Sequence, residues 1–176
     1  DWNDPTLLVR MERLVEAIAG TYDGDPRIAW VETSLYGNWA EWHTYPLQYP
    51  NAEGQYQTPP PSSTYLYAPI LKDPREPSQQ KYRVGTTESK QRIFRAHANS
   101  FKKTRLVQST SDLPILFEAL RLGPSRPVGV RRDSWGDQYF PDITQWNSYR
   151  PTTEERALFE ESWKRVPFYT ENWGGA

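Results

Sequence analysis

Apolar residues recur along the chain in two alternating rhythms. Leu7, Leu8, Met11, Leu14, Val15 and Ile18 fall three and four apart, the spacing of one helix face. Asp4-Pro5 precedes them as a capping carboxylate with Pro at the first helical position, and Gly20 is placed to stop the helix. A turn rich in Asp, Gly and Pro follows. Ile28 to Tyr36 then reads as a buried strand that runs directly into Gly37-Asn38-Trp39-Ala40-Glu41-Trp42-His43.

The rhythm resumes after Thr87. Ser89 to Phe101 is expected to be a helix, with Ile93, Phe94, His97 and Phe101 on its apolar face, and Thr104 to Gln108 a short strand. Ser111-Asp112 caps a helix carrying Leu113, Leu116, Phe117 and Leu120, which Gly123 ends. Pro127 to Asp133 is a third strand. Thr152-x-x-Glu155 is a capping box opening a helix to about Arg165, and Val166 to Thr170 is a fourth strand, followed by Glu171-Asn172-Trp173-Gly174-Gly175. The order is α-β-α-β-α-β-α-β. Strands separated by helices run parallel with right-handed crossovers, so the fold class is α/β.

Between Thr44 and Thr87 no period holds. Pro46, Pro50, Pro59-Pro60-Pro61, Pro69, Pro74 and Pro77 interrupt any element, while Tyr45, Tyr49, Tyr56, Tyr65, Tyr67 and Tyr82 give the stretch an aromatic content that suits a packed or ligand-covering loop. Long irregular loops inside a compact domain are usually functional or disordered. No boundary divides the chain, so residues 1–176 are expected to form one unit with this loop inserted.

Two architectures fit the alternation: an open doubly wound sheet or part of a (β/α)8 barrel. Dinucleotide and phosphate-loop fingerprints (Gly-x-Gly-x-x-Gly, Gly-x-x-x-x-Gly-Lys) are absent from the 176 residues. A whole barrel takes about 250 residues, so four strands are half of one. Polar and aromatic residues crowd the C-terminal ends of the strands, where barrel enzymes place their chemistry. A partial barrel is the expected architecture.

Composition narrows the function. Lys+Arg number 21 and Asp+Glu 22, giving a net charge of −1, so no excess of basic charge points to nucleic acid or an anionic membrane as partner. No apolar run approaches the length of a membrane span. Cys is absent, which removes disulfides, thiolate metal sites and cysteine nucleophiles. With 2 His as well, a transition-metal site is not expected, and no cofactor is called for. With 8 Trp, 11 Tyr and 6 Phe, the chain is too aromatic to be disordered over most of its length.

Each strand ends in chemistry. Trp39, Glu41, Trp42 and His43 follow the first, Gln108 the second, Arg131, Asp133 and Trp135 the third, and Glu171, Asn172 and Trp173 the fourth. If the strands are parallel these groups meet at one rim, in a pocket of carboxylates, indoles, an Arg and a His. Sugars suit such a site: their C–H faces lie on aromatic rings and their hydroxyls bond to carboxylates, Asn and Arg. A pair of carboxyl groups flanking a glycosidic bond is what its hydrolysis needs. Each group also has a plainer role available, the indoles as core filling and Arg131 with Asp133 as a buried ion pair. His97, on an apolar helix face, is expected to be structural.

Gly37-Asn38-Trp39-Ala40-Glu41-Trp42-His43 resembles the Gly-x-Trp-Gly-Glu-Trp-His segment of an uncharacterised family of glycosidase-like TIM barrels, a domain of unknown function in the glycoside hydrolase superfamily. Arg131-Arg132-Asp133-Ser134-Trp135-Gly136 and Glu171-Asn172-Trp173-Gly174 resemble its later strand-end motifs. The resemblance covers most of the chain outside the Pro-rich loop. It implies that the four strands correspond to barrel strands four to seven, the remaining barrel strands being missing from this chain. It implies a carbohydrate-active, retaining glycoside hydrolase-like domain, with Glu41 as acid/base and Glu171 as nucleophile. Trp39, Trp42, His43, Arg131, Asp133, Trp135, Asn172 and Trp173 would contact the carbohydrate. Ala40 stands where the family mostly has Gly, and where the wider clan has Asn. A non-catalytic glycan-binding barrel and an inactive fragment of a larger barrel are the alternatives. The absence of Cys leaves the compartment open, with a secreted or extracellular location suspected.

Overall fold

The computed structural model describes residues 2–37, 40–42, 49–50, 56–57, 70–72, 80–82, 85–123, 125–135 and 151–172, with the backbone alone at 49–50, 56–57, 70–72, 80–82, 133–135 and 171–172. The elements are α1 (Pro5–Tyr22), β1 (Trp30–Glu32), β2 (Tyr49–Pro50), β3 (Tyr56–Gln57), β4 (Ile70–Lys72), β5 (Gln80–Tyr82), α2 (Thr87–Ser100), β6 (Arg105–Ser109), α3 (Leu113–Leu120), β7 (Val128–Trp135), α4 (Thr153–Ser162) and β8 (Phe168–Asn172). The expected alternation is present. The Pro-rich stretch, read as lacking regular elements, contains two short antiparallel pairs, β2 with β3 and β4 with β5.

Local chemistry sets the helix starts. The Asp4 carboxylate accepts from the Thr6 and Leu7 amides at 2.7 and 2.9 Å, and Pro5 needs no amide partner in the first turn. Thr86 and Asp112 cap α2 and α3 through their side chains. Thr152 and Glu155 complete the reciprocal box of α4. The first helix runs two residues past Gly20, to Tyr22. The stop is tertiary: Asp23, the next residue, accepts from the amides of Lys102, Lys103 and Thr104. This knot ties the α1–β1 turn to the α2–β6 turn. Burial raises the pKa of Asp23, but these hydrogen bonds outweigh it and hold the carboxyl below its ordinary value.

The main sheet has the order β1-β6-β7-β8, all parallel. Spatial order follows chain order without reversal. Right-handed crossovers then place every connecting helix on the same face, whereas a doubly wound sheet reverses its order and is covered on both. Packing agrees. Leu8, Val15 and Ala19 of α1 and Ile93, Phe94 and Ala98 of α2 share a core with Leu106 and Val128, and Val31 packs against it. Leu113, Leu116, Phe117 and Leu120 of α3 form a second core with Val130, with Leu158 and Phe159 of α4 against it. Each such fully buried side chain contributes about 1.5–3 kcal/mol.

Residues in register across a parallel sheet share a face, and successive residues alternate. Val31, Leu106 and Val128 therefore point to the helices. Trp30, Glu32, Val107, Gly129, Arg131 and Tyr169 point to the other side. That second face is narrow. A Cβ on Gly129 would lie 2.8 Å from the Pro167 carbonyl oxygen and 3.0 Å from a Val107 methyl, so its neighbours lean over it and only glycine fits.

Candidate functional site

The second face carries a polar network. Arg131 on β7 reaches Glu32 on β1, Nε to Oε1 3.3 Å, and Glu41 in the loop after β1, Nη2 to Oε1 3.0 Å. The Tyr169 hydroxyl on β8 donates to Glu32 Oε2 at 2.7 Å. Its ring lies 5.3 Å from that of Trp30. Strands β1 and β8 are opposite edges of the sheet, roughly 14 Å apart if it were flat, yet their side chains touch above Val107 and Gly129. Arg131 is only 4% exposed, so the guanidinium is shielded while both carboxylates stay partly open to water. Burial first, and the hydrogen bond to Glu32 second, push the Tyr169 phenol well above its ordinary range.

Glu41 arrives through an unusual loop. Leu35, Ala40 and Trp42 have φ of 77°, 63° and 68°, and Gly37 has 83°. Left-handed geometry costs a non-glycine residue roughly 1–2 kcal/mol. Two backbone bonds close the turn, from Ala40 to Gly37 and from Trp42 to Tyr36. The Trp42 indole locks it: its N–H donates to the Thr33 carbonyl at 2.8 Å, and its ring lies against Tyr36. The strand is cut to Trp30–Glu32 by this loop, shorter than the Ile28–Tyr36 that hydrophobicity suggests, although the Thr33 amide still bonds to Val107.

The expected site residues divide into three groups. Glu41 and Arg131 are brought together at the C-terminal end of the sheet. Trp42 is 2% exposed and belongs to the core, so it fills space rather than offering a ring to a ligand; its hydrogen bond to Thr33 is what requires an indole there. Asp133 and Trp135 lie in β7, and Glu171 and Asn172 in β8, all at the same end of the parallel sheet; their side chains lie outside the described residues. Trp39, His43 and Trp173 also lie outside them. Arg131, expected beside Asp133, has Glu32 and Glu41 as its described partners. Between Arg132 and Trp135 the register with β8 slips by one residue, a bulge of the kind that re-aims side chains beside functional sites.

Sequence reasoning missed Glu32, Tyr169 and Trp30. Glu32 carried a signal: it is the single charged residue within the apolar run Ile28 to Tyr36. Tyr169 and Trp30 carried none, since either reads as ordinary strand filling. Gln108, expected at the rim, is fully buried and accepts from the Thr33 hydroxyl at 2.5 Å.

Two further polar groups are structural. His97 places Nδ1 2.9 Å from the Ile93 carbonyl, and Nε2 3.5 Å from the Ser34 amide. This fixes the neutral tautomer with the proton on Nδ1, and burial holds its pKa below the ordinary value. Lys90 pairs with Asp112 at 2.6 Å, both buried, with its ammonium 5.6 Å above the Tyr36 ring. Among the described residues, no three His, Asp or Glu side chains gather to hold a metal ion, and no helix is long and apolar enough to cross a membrane. A cleft of about 230 Å³ lined by Lys102, Lys103, Arg105 and Arg126 opens at the N-terminal edge of the sheet, the end away from Glu41.

Compared with known proteins, the chain matches no family model, no curated protein and no solved structure.

Proposed function

We propose that the chain is part of a (β/α)8 barrel that acts on carbohydrate as a glycoside hydrolase of the retaining, two-carboxylate type. The observation that carries this reading is the placement of Glu41. A strained loop after the first strand brings its carboxylate over the C-terminal end of a one-way parallel sheet and onto Arg131 of the third strand. Helices on one face and a polar, aromatic second face support the barrel, whose inner wall the second face would be. The glycine that the resembling family has in place of Ala40 also fits, because Ala40 adopts the left-handed conformation that glycine tolerates best.

In this reading Glu41 protonates the leaving oxygen and then activates water, and Glu171 attacks the anomeric carbon or stabilises the charge developing there. Retention places the two carboxyl groups about 5–5.5 Å apart. Arg131 orients Glu41, while Trp39, Trp135, Trp173, His43, Asp133 and Asn172 supply ring faces and hydrogen bonds to the sugar. The two-carboxylate reaction calls for no cofactor.

One observation favours a second reading, a barrel that binds glycan without cleaving it. Both described carboxylates on the inner face, Glu32 and Glu41, are engaged by Arg131, an arrangement that serves rigidity as well as catalysis. A panel of aryl glycosides separates the two. Hydrolysis that falls at least a hundredfold in both Glu41→Gln and Glu171→Gln supports the enzyme. Glycan binding with no turnover in the unaltered protein supports the binding module.

A further inference from the structure

We propose that the cleft at the N-terminal end of the main sheet binds the phosphoryl group of a small molecule. Its walls come from the α2–β6 turn, the α3–β7 turn and the first residues of β6 and β7. These are the two central strands, each with a described neighbour on both sides, so the cleft stands clear of both sheet edges. It also lies at the far end of the sheet from Glu41, and its ligand is independent of any chemistry at that carboxylate.

Charge names the ligand. Lys102, Lys103, Arg105 and Arg126 line the cleft, and among the described residues no carboxylate does. Among those residues, none of the four side chains forms an ion pair. Like charges gathered around one cleft repel each other, and the net charge of the whole chain is only −1. Helix ends explain part of the cluster. The C-terminal ends of α2 and α3 lead into the two turns, and each carries about half a negative charge. Asp23, ionised and bonded to the amides of the α2–β6 turn, offsets one more. A surplus of about two positive charges remains. A phosphate monoester carries about the same charge with opposite sign near neutral pH.

The second observation is that the turns bearing these cations are fixed in advance. Asp23 holds the amides of Lys102, Lys103 and Thr104 at 2.9, 2.9 and 2.7 Å. The Arg126 amide donates to the Gly123 carbonyl at 3.2 Å. The Lys103 stem lies over Gly24, where an added Cβ would fall 2.8 Å from Lys103 Cδ. A preorganised site loses less conformational freedom on binding. The guanidinium forks of Arg105 and Arg126 match the geometry of phosphate oxygens, while the lysines act as point charges. Leu122 and Pro127, both half-buried, add apolar surface for the body of an ester. At about 230 Å³ the cleft is just below the roughly 300–1,000 Å³ of drug-sized ligand pockets, which suits a small phosphorylated molecule.

The test is an NMR titration of the full, isotope-labelled chain with inorganic phosphate and with phenyl phosphate, at constant ionic strength. Saturable shifts are expected at the amides of residues 101–106 and 125–128. Arg105→Gln with Arg126→Gln should weaken binding at least tenfold while helix content and melting cooperativity stay unchanged. Lys102→Gln with Lys103→Gln, both exposed, should also weaken it, and keeps the site testable if the arginine pair disturbs the fold. Tighter binding of phenyl phosphate makes an ester the ligand, and equal or weaker binding makes it free phosphate; either supports the site. No saturable shift with either probe, shifts centred elsewhere, unchanged affinity in both variants, or equal displacement by acetate overturns it. Binding of a short single-stranded oligonucleotide but of neither probe also overturns it, and would make the cleft a nucleic-acid contact.

Discussion

The two faces of the main sheet are built on opposite terms. On the helix side, Val31, Leu106, Val128 and Val130 meet helices through aliphatic and aromatic contact alone. On the other side, Glu32, Arg131 and Tyr169 bond to one another across the sheet, joined by Glu41 from the loop above. Burying a guanidinium and carboxylates is seldom the most stabilising use of a core position. The apolar face accounts for folding. The charged face needs a second reason, and a strained loop delivering Glu41 onto it is the feature that folding alone would not require.

The comparison can be broken by substitution. Phe117→Ala, on the helix side and 1% exposed, should cost about 3–5 kcal/mol in a denaturant titration. The matching change on the other face, Arg131→Met, should cost less, about 1–2 kcal/mol, because Glu32 and Glu41 keep partial contact with water. A loss as large as that of Phe117→Ala would make the charged face a pillar of stability and remove the contrast. Adding Glu32→Gln to Arg131→Met should then cost less than the two singles summed, since each removes the same contact.

Protonation sharpens the contrast on the helix side. His97 is held neutral, with a folded pKa below its ordinary 6.5. The unfolded chain therefore takes up the proton first as pH falls, and protonation favours unfolding. Stability should be full above about pH 6.5 and should decline below it. In His97→Gln that part of the acid slope should be missing, which thermal melts between pH 5 and 8 can read. The smallest effect belongs to α1. A Cβ on Gly20 meets nothing within 4 Å, so Gly20→Ala should raise stability by about 1 kcal/mol.

Much of the fold was legible in the sequence because its signals are local. The spacing of Leu113, Leu116, Phe117 and Leu120, the Asp4 and Asp112 caps, and the Thr152–Glu155 box each act within a few residues. Parallel strands followed from the intervening helices. What was not legible depends on distant partners. The end of α1 is set by Asp23 gripping amides some 80 positions away, so Gly20 was a false stop. Trp42 looked like a ligand platform beside Glu41, but a left-handed φ turns it into the core. Glu32 and Tyr169 meet across 137 positions, and no spacing rule connects them. Glu41 and Arg131 were each legible as strand-end residues; their direct pairing was not.

The most direct test is a crystal structure of the protein with a glycan or a non-hydrolysable analogue bound. The account predicts the carboxyl groups of Glu41 and Glu171 about 5–5.5 Å apart, on either side of the anomeric carbon. A separation well beyond about 9.5 Å, or a sugar bound away from both, would contradict it.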